Sequence, residues 1–209
     1  MNGAVLVDFD GTVSRVDVGN LLFRRLTGGR AMEVVDSWKR GGMSSRECLI
    51  RECALARGTR DEVLRFALDQ PVDAAFAPFV RRAIDAGRRV RVVSDGLDVY
   101  IRAILEREGL GALPLEANRV RFAGDRLLPS FPFAGRGCGS CGNCKGGAVE
   151  AARGDGPVIF VGNGLSDRCG ARAADIVFAK DDLAAFCRDE RIPFHPYETF
   201  DDVDATITP

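Results

Sequence analysis

Two carboxylates near the start of the chain, Asp8 and Asp10, stand two positions apart in the segment Asp8-Phe9-Asp10-Gly11-Thr12. On an extended chain, side chains at this spacing project to the same side. Their mutual repulsion is costly unless a cation lies beside them, and carboxylate oxygens are ligands that suit Mg²⁺. The spacing therefore predicts a magnesium site.

Three further segments carry polar groups beside turn residues. Ser94-Asp95-Gly96 offers a hydroxyl and backbone amides before a predicted helix, an arrangement that binds anions. The segment 162–167 places the Asn163 amide between glycines, with the Asp167 carboxylate four residues on, and Lys145 opens another predicted helix. Each feature alone fits an exposed loop or a helix cap, but their joint occurrence in this order favours one shared binding site.

The surrounding pattern predicts how these groups are positioned. Short β-branched runs end directly before three of the segments and indicate buried parallel strands, as does a fourth run, at 4–7, 89–93, 157–161 and 175–179. Helical periods alternate with them, at 76–84, 97–105, 165–174 and 181–190. We therefore predict an α/β fold with a doubly wound parallel sheet, whose carboxyl ends gather the polar groups.

Residues 14–78 interrupt this alternation. They have helical periods throughout, so we predict a helical cap inserted after the first strand, between the core segments 1–13 and 79–209. A second departure lies at 118–128, where two strand-like runs flank Gly124-Asp125 and predict a hairpin.

Composition excludes several classes of protein. The 209 residues include 29 Lys and Arg against 30 Asp and Glu, so no basic surplus points to nucleic acid. No apolar run is long enough for a membrane helix, and residues 1–5 do not resemble a signal peptide. Seven cysteines in such a chain indicate reduced thiols, so we expect a cytoplasmic protein. We further expect a monomer or a homodimer.

Taken in order, the polar segments resemble the four motifs of the haloacid dehalogenase superfamily, in its phosphoserine-phosphatase-like branch. Residues 8–12 match the first motif, D-x-D-G-T, Ser94 the second, Lys145 the third and residues 162–167 the fourth. The helical insertion lies where this branch carries its cap. The resemblance spans nearly the whole chain and implies a Rossmann-like core and a Mg²⁺-dependent phosphatase of small phosphorylated metabolites.

The resemblance also implies a role for each matching residue. Asp8 is the nucleophile that forms an aspartyl-phosphate, and Asp10 protonates the leaving group and then activates water. The groups that hold the phosphoryl oxygens are Thr12, Ser94, Lys145 and the amides near Asp95 and Gly96. Magnesium takes Asp8, the Asp10 carbonyl and Asn163, while Asp167 binds metal-coordinated water or holds Lys145.

One position departs from the branch, which usually has aspartate where this chain has Asn163. An amide oxygen still suits a hard cation but carries no full charge, so weaker magnesium binding is expected. A second function remains open for this reason: a phosphometabolite-binding protein of low turnover. The retained Asp8 and Asp10 argue against it.

The cap is expected to choose the substrate. Asp17, Asn20 and Phe23 follow the first motif and are candidates to face the site, as is Arg51 for an anionic group, although an exposed helix charge is the favoured explanation of Arg51. Trp38 is expected in the cap core. Within the branch, Asp17, Asn20 and the segments 138–145 and 178–183 resemble methionine-salvage phosphatases of an enediol phosphate; phosphoserine is the next candidate.

Cys138, Cys141 and Cys144 form a C-x-x-C-x-x-C run directly before Lys145. Three thiolates could bind zinc with a fourth ligand such as Cys169 or water, or form a reversible disulfide. A glycine-rich turn that lets Lys145 approach the phosphate is the simplest explanation. A thiol metal or redox module therefore stays open as a third function.

Overall fold

The computed structural model describes residues 3–207, and seven strands of this part form one sheet. The strand order is β4-β3-β2-β1-β5-β6-β7, and every neighbouring pair is parallel except β3 and β4. The strands are β1 Ala4–Val7, β2 Arg89–Leu97, β3 Leu115–Ala123, β4 Arg126–Ser130, β5 Val158–Gly162, β6 Ile176–Ala179 and β7 His195–Pro196. The predicted parallel α/β sheet is confirmed.

Helices cover both faces of the sheet, because successive side chains of β1 point in opposite directions. Val5 and Val7 belong to one apolar cluster, and Ala4 and Leu6 belong to a second cluster on the other face. The core helices are α5 Phe76–Asp85, α6 Asp98–Arg107, α7 Lys145–Ala152, α8 Arg168–Ala173, α9 Asp181–Asp189 and α10 Phe200–Ile207. Burial on both faces explains why the predicted strands are almost wholly apolar.

Four helices fill most of the insertion between β1 and α5. They are α1 Val18–Leu26, α2 Ala31–Lys39, α3 Ser45–Leu55 and α4 Arg60–Leu68. The N-cap side chains of Asp17, Ser44 and Thr59 each accept a hydrogen bond from the backbone three residues on. The two ends of the insertion meet where Ser14 bridges Val72. Its exact boundaries, 14 and 78, stay a prediction.

The structure also adds features that the pattern did not predict. Strand β2 continues to Leu97, four residues past the predicted end, and the predicted hairpin is part of the main sheet because β3 pairs with β2. Strand β7 and helix α10 were not predicted. Within residues 3–207, no helix has both the length and the apolar character that crossing a membrane requires.

Candidate active site

Three charged side chains meet in the interior at the carboxyl ends of β1 and β5. The Lys145 Nζ atom lies 2.5 Å from Asp8 Oδ1 and also donates to Asp167 Oδ1. All three side chains are buried. Burial and the Asp167 charge raise the pKa of Asp8 well above its ordinary value, and Lys145 opposes this only in part. Burial lowers the pKa of Lys145, but the two carboxylates outweigh it and raise that pKa.

Asp167 uses both carboxylate oxygens inside the protein. Besides Lys145 on one oxygen, the backbone N–H groups of Asn163 and Gly164 donate to the other at 2.9 and 2.8 Å. The side chain is fully buried and does not line the cavity described below. These contacts fit the expected role of holding Lys145, and the expected role of Asp167 in metal binding stays a prediction.

Asp10 stands at the edge of the same site, half-buried. Its Oδ1 atom accepts a hydrogen bond from the Gly19 amide at 3.1 Å, and its Oδ2 atom accepts one from the Tyr100 hydroxyl at 2.7 Å. Burial and the nearby Asp17 carboxylate raise the pKa of Asp10 to about 7. A carboxyl group with such a pKa exchanges a proton readily near neutral pH.

The contact between Asp10 and Tyr100 depends on a glycine. A Cβ atom on Gly96 would lie 1.9 Å from the Tyr100 hydroxyl and 2.8 Å from Asp10 Oδ2, so no larger residue fits there. From the sequence, Tyr100 was assigned only to the apolar face of its helix. The available signal for a role in the site was the position of Tyr100 in the first turn of the helix that follows the second motif.

Side-chain oxygen atoms that could bind a cation lie close to Asp8. The Thr12 hydroxyl lies 3.2 Å from Asn163 Oδ1 and 3.4 Å from Asp8 Oδ2, and Asn163 Nδ2 lies 3.5 Å from Asp181 Oδ2. Asp181 has a positive φ of 47°, which is uncommon for a residue with a side chain and is enriched at functional sites. From the sequence, Asp181 was noted only as part of the segments 178–183 and 181–190 and was assigned no role in the site.

This donor set fits Mg²⁺. Hard cations prefer carboxylate and amide oxygens, and the raised pKa of Asp8 indicates that a further positive charge would be accommodated. Thr12 was expected to hold phosphoryl oxygens, but its side chain is buried and does not line the cavity. Its hydroxyl instead orients Asp8 and Asn163.

The second predicted phosphate segment differs from the expectation in its backbone. Because β2 runs to Leu97 and α6 begins at Asp98, residues 94–96 do not form a helix N-terminus. Ser94 lines the cavity, and its Oγ atom accepts from the Gly96 amide at 2.9 Å. The Asp95 carboxylate accepts hydrogen bonds from Ser45 of the cap at 2.6 Å and from the Asn143 amide at 2.8 Å.

A cavity of about 450 Å³ opens above these groups, between the sheet and the insertion. This volume suits a small metabolite. Its floor includes Asp8, Asp10, Ser94, Lys145 and Asn163. Its opposite wall comes from the insertion and comprises Asp17, Asn20, Phe23, Val35, Trp38, Lys39, Cys48, Leu49 and Glu52.

Two residues of the insertion lie elsewhere than their candidate roles require. Trp38 was assigned to the cap core, but it lines the cavity. Arg51 was a candidate substrate-binding residue, but it lies on the exposed face of α3, where it pairs with Glu47 at 2.5 Å, and it is not among the cavity residues. Asp17 and Asn20, by contrast, do face the cavity as predicted.

Glu52 gives the cavity wall a pH-dependent stability. Burial and the Asp17 charge raise the pKa of Glu52 to about 8, so the folded state binds this proton more tightly than the unfolded state. Stability must therefore fall as pH rises from about 4.5 to about 8. Glu52→Gln is expected to remove about 1–2 kcal/mol of this loss, measured as the unfolding free energy at pH 5 and pH 8.5.

The matched control is Glu47→Gln, which removes an exposed carboxylate from the same helix. It should leave the pH dependence of stability as in the wild type. An equal pH dependence in Glu52→Gln and wild type would contradict the assignment of this effect to Glu52.

The parallel sheet, the inserted helices and the carboxylate–lysine site at the strand ends together indicate a hydrolase with a Rossmann-like core. Residues 5–172 match the haloacid dehalogenase-like hydrolase family. The chain therefore belongs to this family.

Similar proteins of known name are phosphatases. A 2-hydroxy-3-keto-5-methylthiopentenyl-1-phosphate phosphatase of Exiguobacterium sp. (strain ATCC BAA-1283 / AT1b) is 30% identical over 98% of this chain and 97% of its own. The phosphatase of the same name from Bacillus cereus (strain B4264) is 26% identical, over 99% and 96%. This chain is accordingly placed among the phosphoric monoester hydrolases.

Solved structures share the fold. The phospho-aspartyl intermediate analogue of a phosphoserine phosphatase superimposes with a TM-score of 0.74 at 17% identity, over 99% of both chains. A phosphoserine phosphatase from T. onnurineus gives 0.74 at 19% identity, over 99% of this chain and 94% of its own. The predicted α/β fold is therefore shared with these structures over nearly the whole chain.

Proposed function

We propose that this chain is a Mg²⁺-dependent phosphomonoesterase that hydrolyses a small phosphorylated metabolite through an aspartyl-phosphate at Asp8. The observation that carries the proposal is the presence of two carboxyl groups with different partners on one cavity floor. Asp8 is held by Lys145 at 2.5 Å, whereas Asp10 is held by the Tyr100 hydroxyl and the Gly19 amide and has a pKa of about 7. One group is placed to attack and the other to move protons.

In the first step, the Asp8 carboxylate attacks phosphorus. The bond from Asp8 oxygen to phosphorus forms as the bond from phosphorus to the leaving oxygen breaks. Protonated Asp10 gives its proton to that oxygen, so the product leaves as a neutral alcohol or enol. The Tyr100 hydroxyl and the Gly19 amide hold Asp10 in place through its two oxygens.

In the second step, Asp10 is deprotonated and takes a proton from water as the water attacks phosphorus. The bond from Asp8 oxygen to phosphorus breaks, which returns the Asp8 carboxylate and releases inorganic phosphate. Lys145 offsets negative charge beside Asp8 in both steps. When bound by Asp8, the Asp10 carbonyl and Asn163, Mg²⁺ supplies positive charge that offsets the phosphoryl oxygens.

The wall of the cavity supports a substrate with an apolar tail. Phe23, Val35, Trp38 and Leu49 give it aromatic and aliphatic surface, with Asn20 available for hydrogen bonds. We infer that the preferred substrate is 2-hydroxy-3-keto-5-methylthiopentenyl-1-phosphate, the compound in the names of the relatives. Its methylthio group suits such a wall better than the charged amino acid head of phosphoserine does.

The test is hydrolysis of a panel of phosphorylated metabolites, with Mg²⁺ and with EDTA. We expect Mg²⁺-dependent turnover, with kcat/KM for the enediol phosphate at least about tenfold above that for phosphoserine. The reverse order would overturn the substrate assignment. Tight binding of a phosphate analogue without turnover of any substrate would instead indicate a low-turnover binding protein.

Asp10→Asn is expected to separate the two steps. With an alkyl phosphate, loss of the proton donor should reduce kcat by about 10²–10⁴-fold. With p-nitrophenyl phosphate, the leaving group needs no proton, so the first step should survive while the second slows. Acid quenching should then show more phosphoenzyme in Asp10→Asn than in the wild type; equal losses for both substrates without accumulation would argue against this role.

A further inference from the structure

Four cysteines come together outside the cavity. The Sγ atoms of Cys138, Cys141, Cys144 and Cys169 all lie within 4.8 Å of one another, and none of the four forms a disulfide. Three belong to the loop before α7, and the fourth lies in α8, 25 residues beyond Cys144 in sequence. Two segments that are separate in sequence therefore contribute thiols to one cluster.

The spacing of the sulfur atoms is that of a single bound ion. Four thiolates at about 2.3 Å from one tetrahedral zinc ion lie about 3.8 Å from each other. The Cys138 and Cys141 sulfurs are 3.4 Å apart, and no pair exceeds 4.8 Å. The two-residue spacers between Cys138, Cys141 and Cys144 are also typical of zinc-binding loops.

Backbone amides of the loop point at two of the sulfur atoms. The Cys138 amide donates to Cys144 Sγ at 3.4 Å, and the amide of Gly147 also points at this atom. The amides of Ser140 and Cys141 donate to Cys138 Sγ. These hydrogen bonds hold both sulfur atoms in place.

The loop is also built to bring its ends together. Gly137 has a φ of +84°, and a Cβ atom there would lie 2.5 Å from Cys144 Sγ. Only glycine can therefore occupy this turn while Cys144 points inward. A turn that served only to give Lys145 room would not need glycine at position 137.

We propose that Cys138, Cys141, Cys144 and Cys169 bind one Zn²⁺ ion, which joins the loop before α7 to helix α8. When Zn²⁺ binds, each cysteine thiol that still carries a proton releases it to solvent, and no sulfur atom is oxidised. Zinc suits the site because all four ligands are soft thiolates, and four protein ligands make it a closed, structural site rather than a catalytic one.

The position of this site relates it to the active site. Cys144 directly precedes Lys145, and Cys169 follows Asp167 by two residues. The ion would therefore fix the distance between the two segments that carry the buried Lys145–Asp167 pair. A metal-bound loop would also present a fixed surface to the cap, because the Arg46 side chain donates to the Gly139 carbonyl at 3.2 Å.

The test is the metal content of the purified full-length protein, followed by replacement with Co²⁺. Wild type should contain about one zinc ion per chain, and its Co²⁺ form should show thiolate-to-metal charge transfer, which an all-oxygen site cannot give. Cys169→Ser and Cys141→Ser should each lose the absorption and retain less than about a tenth of the zinc. Cys187→Ser, which removes a buried free thiol elsewhere, should behave as the wild type.

Three results would overturn the proposal: wild type without zinc after growth and purification in its presence, stoichiometric iron in its place, or a disulfide among the four cysteines in freshly isolated protein. If the two serine variants do not fold, the rate of thiol modification of the wild type decides. Zinc should protect four thiols together, and a chelator should expose them; equal rates with and without zinc would reject the site. None of these measurements depends on phosphatase activity.

Discussion

Asp8→Asn should reduce turnover by about 10⁴-fold or more and abolish phosphoenzyme formation. An amide oxygen is a poor nucleophile, and Asp8 is the group in contact with both Lys145 and the oxygen donors around Asn163. The substitution changes the shape of the side chain very little, so a loss of activity would report chemistry. Single-turnover kinetics and acid-quenched labelling with radioactive phosphate would measure both effects.

Asp182→Asn is the matched control, because Asp182 is an exposed carboxylate at the rim of the same cavity. It should keep kcat within about threefold of the wild type. Labelled phosphoenzyme in Asp8→Asn, or turnover within tenfold of the wild type, would show that another group is the nucleophile. Circular dichroism would verify that both variants are folded.

Lys145→Met should be the most destabilising change in the site, by about 3–5 kcal/mol. Lys145 is buried between two carboxylates, and removing its charge leaves Asp8 and Asp167 to repel each other out of reach of solvent. The loss should grow as the pH rises, because the raised pKa of Asp8 means that this carboxyl group gives up its proton only at higher pH. Urea unfolding at several pH values measures it.

A double variant separates this charge effect from a packing defect. Adding Asp167→Asn to Lys145→Met removes one of the two unpaired charges and should recover about half of the lost stability, without restoring activity. Lys180→Met, which removes a half-buried lysine directly after β6, should cost only about 1 kcal/mol. A double variant less stable than Lys145→Met would show that packing, rather than charge, dominates.

The sequence predicted the core of the fold well because local pattern determines it. The β1 and β5 runs are apolar on both faces, which only a central parallel strand permits, and the polar groups after them had to share one edge. The β3–β4 hairpin was recognised from its turn, but its place beside β2 was not. That pairing joins residues distant in sequence and leaves no local periodicity.

Short sequence motifs pointed to Asp8, Asp10 and Lys145, which do meet at the cavity. Residues that reach the cavity only through contacts between distant segments had no such motif. Tyr100 has the spacing of a core residue, and only the tertiary fold brings its hydroxyl to Asp10. Helical periodicity also does not say which face of a short helix meets the cavity, so Trp38 was expected in the cap core and Arg51 was only a candidate for substrate binding.

The Asp95 carboxylate joins three parts of the molecule, since Ser45, Asn118 and Asn143 all donate to it. Ser45 opens the first turn of α3, so the cap is fastened to the sheet beside the phosphate segment. Separating the cap from the sheet at this point would break the charge-assisted hydrogen bond between Ser45 and Asp95, which contributes about 1.5–3 kcal/mol. Asp95 therefore ties the cap, the hairpin strand and the loop before α7 to one carboxylate.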